Sequence, residues 1–261
     1  MKKLMIAASA AFMATVGFGL ESANVVGYTE VGLRTGSKGV GACFAPITEA
    51  NVDLADVTVT GYDRTEGSED QVYAQTLDAS GKTIDMYYWI DVSYEEDGEK
   101  VTLYGWMDAE GNLLEKGSVT MPLGDALWVD APGEDFKLNF NGEVAKDGVA
   151  VSLRAGSKMV SNPLAIDVDI NNIAVKGYNA EDGSEDEVYA QTLDGNGKTV
   201  DMYYWIDISY EEDGESITLY GWMDAEGNLL EDDSVNVKAG EALWVDAPSA
   251  DYSFEFPELS L

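Results

Sequence analysis

Histidine is absent from these 261 residues, and cysteine occurs once. Without an imidazole there is no Ser-His-Asp or Cys-His catalysis and no histidine-ligated zinc. A single cysteine, Cys43, closes no intramolecular disulfide, so a disulfide-built secreted scaffold is excluded too. Proline is scarce, at 6, while glycine reaches 27, a balance that suits a chain of many tight turns. Basic residues are also few. The 15 Lys and Arg stand against 49 Asp and Glu, for a formal charge of -34. A surface of that sign repels nucleic acid and anionic lipid, and it attracts divalent cations and basic partners. The glycines form neither a GxGxxG fingerprint after a strand nor a P-loop, so nothing supports nucleotide binding. Beyond the N-terminal segment no apolar run approaches transmembrane length.

What is present begins with Lys2 and Lys3 ahead of an apolar, small-residue run from Leu4 to Phe18. This is the composition of a secretory signal peptide, and Gly17-Phe18-Gly19 places small residues where a signal peptidase reads them. The expected mature chain starts at Leu20, with Ala23 as the alternative. It is exported to the periplasm, the cell surface or the medium, and it keeps no transmembrane segment.

Internal repetition organises the rest. LRTGSK at Leu33–Lys38 returns as LRAGSK at Leu153–Lys158, and ALWVDAP at Ala126–Pro132 returns at Ala242–Pro248. Between Gly61 and Pro132 most positions are identical with those between Gly177 and Pro248. The expected organisation is a signal peptide over 1–19, a first β unit over 20–141 and a second over 142–261. Cys43 aligns with Pro163, which reads as a small apolar filler position rather than a nucleophile.

The stretch Ile84–Asn112, repeated at Val200–Asn228, is the centre of each copy. Asp97-Gly98 between two strand-like runs signals a two-residue type I′ hairpin turn, because both turn residues need positive φ. That turn sets Glu96 against Glu99, Tyr94 against Val101, Val92 against Leu103, Ile90 against Gly105 and Trp89 against Trp106. The period of two then sorts the hairpin onto two faces. One is apolar, with Met86, Tyr88, Ile90, Val92, Tyr94, Val101, Leu103 and Met107. The other mixes Tyr87, Trp89, Tyr104 and Trp106 with Asp85, Asp91, Thr102 and Asp108. Turn signals at Asp78–Gly81 and Asp108–Asn112 extend the hairpin to an antiparallel meander over Gln71–Leu77, Thr83–Glu95, Lys100–Met107 and Leu113–Met121. Short strands at this spacing without helical periodicity define an all-β chain, two antiparallel β-sandwich or small-barrel units in tandem.

Three places can carry chemistry. On the mixed face, an open Tyr87, Trp89, Asp91, Tyr104 and Trp106, with Tyr203, Trp205, Asp207, Tyr220 and Trp222 in the second copy, form a platform for sugar rings. Covered, the same Trp89–Trp106 pair rivets two strands at about 1 kcal/mol. The acidic turns with Glu66, Glu69 and Asp70, and with Asp182, Glu185 and Asp186, gather hard oxygens of the kind Ca2+ prefers, without matching an EF-hand. Asp108, Glu110 and Asn112 with their second-copy equivalents offer alternate-residue oxygens. Acids and glycines are equally what turns use for their own backbone bonds. Carboxylate pairs for glycoside hydrolysis cannot be singled out among so many acids.

ESANVVGYTEVGL near the start, AGSKMVSNPLAI at Ala155–Ile166 and the closing GEALWVDAP resemble a set of uncharacterised exported bacterial β-repeat proteins. Those carry an N-terminal ANVVGY-like segment and closing strands of GxxLWV type. The first copy departs from the pattern, with GACFAPI where the second has VSNPLAI. The resemblance implies export and a β-rich fold, and no activity comes with it. The expectation is therefore an exported, acidic, non-enzymatic structural or cell-envelope interaction protein. It requires no cofactor, has Ca2+ as a candidate ion, and has itself or a glycan as candidate partner. The alternative is a bivalent carbohydrate-binding protein that uses the Trp/Tyr/Asp strand face.

Overall fold

A computed structural model describes residues 26–41, 51–61, 72–133, 135–145, 147–177 and 188–259. Strands dominate, and the only helical pieces among the described residues are single 3-10 turns at Leu54–Asp56 and Ile170–Asn172. No helix among them is long and apolar enough to cross a membrane. The first copy contributes β1 (Val26–Gly32), β2 (Gly36–Gly41), β3 (Asn51–Asp53), β4 (Thr58–Thr60), β5 (Tyr73–Leu77), β6 (Thr83–Glu96), β7 (Glu99–Met107), β8 (Thr120–Pro122), β9 (Ala126–Ala131) and β10 (Lys137–Glu143). The second contributes β11 (Val149–Ser152), β12 (Gly156–Ser161), β13 (Val168–Asp169), β14 (Ala174–Lys176), β15 (Tyr189–Leu193), β16 (Thr199–Glu212), β17 (Glu215–Met223), β18 (Asn236–Val237), β19 (Ala242–Ala247) and β20 (Ser253–Phe256).

Each copy stacks a 5-stranded antiparallel sheet on a 3-stranded one. The larger sheets run β2-β9-β5-β6-β7 and β12-β19-β15-β16-β17, the smaller ones β1-β10-β4 and β11-β20-β14. The all-β sandwich expectation therefore holds. The hairpin register is also as read from the turn: Trp89 lies opposite Trp106, Ile90 opposite Gly105 and Glu96 opposite Glu99. Asp97 and Gly98 take φ of 53° and 85°, the left-handed pair that a type I′ turn needs.

One expectation is corrected. The meander has three strands, β5-β6-β7, not four. Leu113 makes one isolated bridge to Met107, and a turn closed by the Ser118 N–H on the Glu115 carbonyl then carries the chain away. The second place beside β5 is taken by β9, whose Ala74↔Val129 and Gln75↔Trp128 pairs join distant segments.

Of the two readings of the mixed face, open platform or covered rivet, packing selects the covered one. At the base of the hairpin the mixed face is the inward one. Trp89, Trp106, Trp205 and Trp222 are at most 1% exposed. Ala74 sits across from Tyr87 on one side and from Val129 on the other, so the inward residues of β5 and β9 share a side with Tyr87 and Trp89. An indole buries about 150–250 Å², and at about 25 cal/mol per Å² that outweighs what Ile90 or Val92 offers. The smaller sheet closes over the tryptophans. Trp106 Nε1 donates to the Val57 carbonyl at 2.8 Å, and Trp222 packs edge-on against Phe254 of β20 at 5.6 Å.

The two copies meet through reciprocal contacts. Arg34 donates to the Leu193 carbonyl at 2.7 Å, and Arg154 donates to the Leu77 carbonyl at 3.1 Å. The Ser37 N–H bonds the Gly195 carbonyl as the Ser157 N–H bonds that of Ala79. Lys38 pairs with Glu241 and Lys158 with Asp125, each at 2.6 Å.

Candidate functional site

The sequence-predicted residues separate once the fold is in place. Trp89 is enclosed edge-on by Tyr104 at 5.0 Å and by Trp106 at 5.6 Å, and Trp205 is enclosed in the same way by Tyr220 and Trp222. The open aromatic platform therefore does not exist: the four indoles are core, and Tyr104 and Tyr220 cover them while staying 50% and 54% exposed. Asp91 and Tyr203 are buried with them, and Tyr87 and Asp207 are half-buried. Burial raises the pKa of Tyr87, with the charges of Asp85 and Asp108 adding to it; burial and then Asp201 do the same at Tyr203. Both phenols thus stay protonated.

The acidic-turn residues Glu66, Glu69, Asp70, Asp182, Glu185 and Asp186, and Cys43, lie outside the described residues. Among the described residues no three Asp, Glu or Cys side chains cluster as a metal site. Asp108 serves its own turn. Its Oδ1 accepts from the backbone N–H of Glu110 at 3.0 Å and of Asn112 at 2.8 Å, and these bonds, those of Asn112 foremost, lower its pKa. Asp224 is held likewise by Asn228 and Glu226.

Two surfaces remain. The first is the outward side of the hairpins. Beyond Trp89 the strands β6 and β7 pair only with each other, as a ribbon whose far end is acidic at Glu95, Glu96, Asp97 and Glu99. Its outward side shows Tyr94 at 45% exposure with half-buried Ile90, Val92, Val101 and Leu103. The second copy repeats this with Tyr210, Ile206, Ile208, Ile217 and Leu219.

The second surface went unmarked in the sequence reading. A groove of about 400 Å³ lies between the copies, lined by Trp128, Gln75 and Thr83 from one and Trp244, Gln191 and Thr199 from the other. The alternation within ALWVDA sends Leu127 and Val129 inward and Trp128 to the opposite side, where it stays half-buried. That alternation was the available signal. Thr83 Oγ1 donates to Gln75 Oε1 at 2.6 Å, and Gln75 Nε2 donates to Asp130 Oδ2 at 2.9 Å. Thr199, Gln191 and Asp246 form the same relay at 2.6 Å and 3.2 Å. Ser37 and Ser157 donate to the remaining oxygens of Asp130 and Asp246.

No protein-family model matches this chain, and comparison with characterised proteins and with solved structures also gives no match.

Proposed function

We propose that this chain is an exported, non-enzymatic structural protein of the cell envelope that assembles through its two hairpin ribbons. Export rests on the N-terminal segment. The observation that carries assembly is the outward ribbon side, where Tyr94 and Tyr210 are 45% and 42% exposed above a strip of half-buried aliphatic side chains. Isolated exposed apolar residues need no explanation, but a contiguous strip does. Here the strip occurs twice per chain, which provides two like contacts and so allows growth beyond a dimer. The strands β7 and β17 end their sheets, so their outer backbone groups favour pairing with another strand.

Charge opposes this contact. Copies of a chain at -34 repel one another, so assembly needs screening or cation bridging of the acidic ribbon ends. Light scattering on the mature chain is expected to show mass rising with protein concentration. The rise is steeper at about 0.15 M salt, where the Debye length is about 8 Å, than at about 0.01 M, where it is about 30 Å. Added Ca2+ should steepen it further. Val101→Lys combined with Ile217→Lys should return the chain to a monomer. A monomer at every concentration, with and without Ca2+, refutes assembly.

A further inference from the structure

We infer that the groove between the two copies is a binding site for a neutral saccharide, with Trp128 and Trp244 as stacking surfaces and the glutamine–threonine pairs as hydrogen-bonding rim. At about 400 Å³ it has the size of a small-molecule site.

The argument starts from charge. This chain carries 49 carboxylates, yet no charged side chain is among the described residues that line the groove. The nearby Asp130 and Asp246 are occupied by Ser37 with Gln75 and by Ser157 with Gln191. A cation therefore meets no open carboxylate among the lining residues, and the neighbouring guanidiniums of Arg34 and Arg154 are engaged by the Leu193 and Leu77 carbonyls, against a net charge that disfavours an anion. The fitting ligand is uncharged.

Polarity narrows the choice. Each glutamine amide is fixed through Nε2 to an aspartate and through Oε1 to a threonine hydroxyl. Because Thr83 and Thr199 spend their protons on Gln75 and Gln191, their oxygens keep acceptor capacity for a donor from outside. A pre-oriented row of acceptors suits hydroxyl groups. The indoles supply the other half of a sugar's chemistry, an apolar face for its C–H side. They are also set apart from the core tryptophans. Trp106 and Trp222 commit Nε1 to backbone carbonyls, whereas Trp128 and Trp244 are half-buried, and among the described residues their Nε1 groups have no partner. Each ring is positioned against the other copy's turn: a Cβ at Gly81 would stand 3.0 Å from Trp244, and one at Gly197 would stand 3.5 Å from Trp128. Equivalent residues from both copies thus converge on one groove, so the chain offers one composite site rather than two separate ones.

Titration calorimetry of the full chain with maltotriose, cellotriose and triacetylchitotriose tests this, with trigalacturonate as the charged counterpart. At least one neutral trisaccharide should bind saturably, one per chain, and trigalacturonate should bind about tenfold more weakly or not at all. Trp128→Ala and Trp244→Ala should each lose about tenfold in affinity, the scale of truncating a binding anchor. Should either fail to fold by near-UV circular dichroism, Thr83→Val with Thr199→Val serves instead, because it removes rim acceptors without opening the interface. The ribbon variant Val101→Lys should bind saccharide as the parent does, which keeps this site independent of assembly. Absence of heat with all three neutral sugars, or affinity unmoved by the groove variants, overturns the assignment.

Discussion

Trp106 and Trp89 face each other across one strand pair, yet their polar atoms fare differently. Trp106 Nε1 donates to the Val57 carbonyl, whereas the buried Nε1 of Trp89 has no partner among the described residues. Trp106→Phe therefore strands a buried carbonyl that Trp89→Phe does not, and a group left so costs about 1–3 kcal/mol. Urea unfolding should place Trp106→Phe below Trp89→Phe by about 1–2 kcal/mol; equal midpoints would sink this reading. The turn acid Asp108 makes a pH-dependent prediction. Its folded pKa is lowered, first by the Asn112 backbone N–H, so its contribution is present above the unfolded value of about 3.9 and fades as pH falls through the folded one. Asp108→Ala should melt below the parent at neutral pH, and the gap should close as acid is added. That Asp108 and Asn112 belong to a turn was readable from their spacing. That the carboxylate accepts the backbone N–H groups of its own turn depends on loop geometry.

At the scale of the element, the hairpin was the most legible feature. A two-residue turn with fixed φ leaves a single register, and every predicted pair was found. Gly98→Ala tests the turn. With φ of 85° and nothing within 4 Å of an added Cβ, the cost is conformational and not steric, about 1–2 kcal/mol. Hydrogen exchange should speed up along Val92–Leu103 while the core amides of Val129 and Ala74 hold; uniform acceleration would show that the ribbon is not a separable element. The buried side of the same hairpin was not legible. Alternation states that two faces exist, but the hairpin residues alone do not say which one meets a second sheet. Val72 just ahead of β5, with Ala74, Leu127 and Val129 on the neighbouring strands, decides it, and β9 comes from far along the chain.

For the whole molecule, the joint between the copies is the structural feature with most consequence. Gly41 lies where an added Cβ would strike Ser161 of the other copy and the Asp125 carbonyl of its own. Calorimetry should show the parent melting in one transition, because the halves share arginine–carbonyl and lysine–carboxylate contacts in both directions. Gly41→Val should split that transition in two. A single transition unchanged in Gly41→Val would mean that the joint adds little coupling.

Local chemistry settled much of this protein before any tertiary contact. Turn residues with positive φ, a side-chain period of two and the lack of histidine and disulfides prescribe short antiparallel strands and close off whole classes of catalysis. Such rules act over a few neighbouring residues, so a sequence displays them directly. Which hairpin face is covered, and that Trp128 and Trp244 line one groove, depend on segments far apart in the chain coming into contact. Burial and enclosure are properties of assembled surfaces, and only the packed chain decides them.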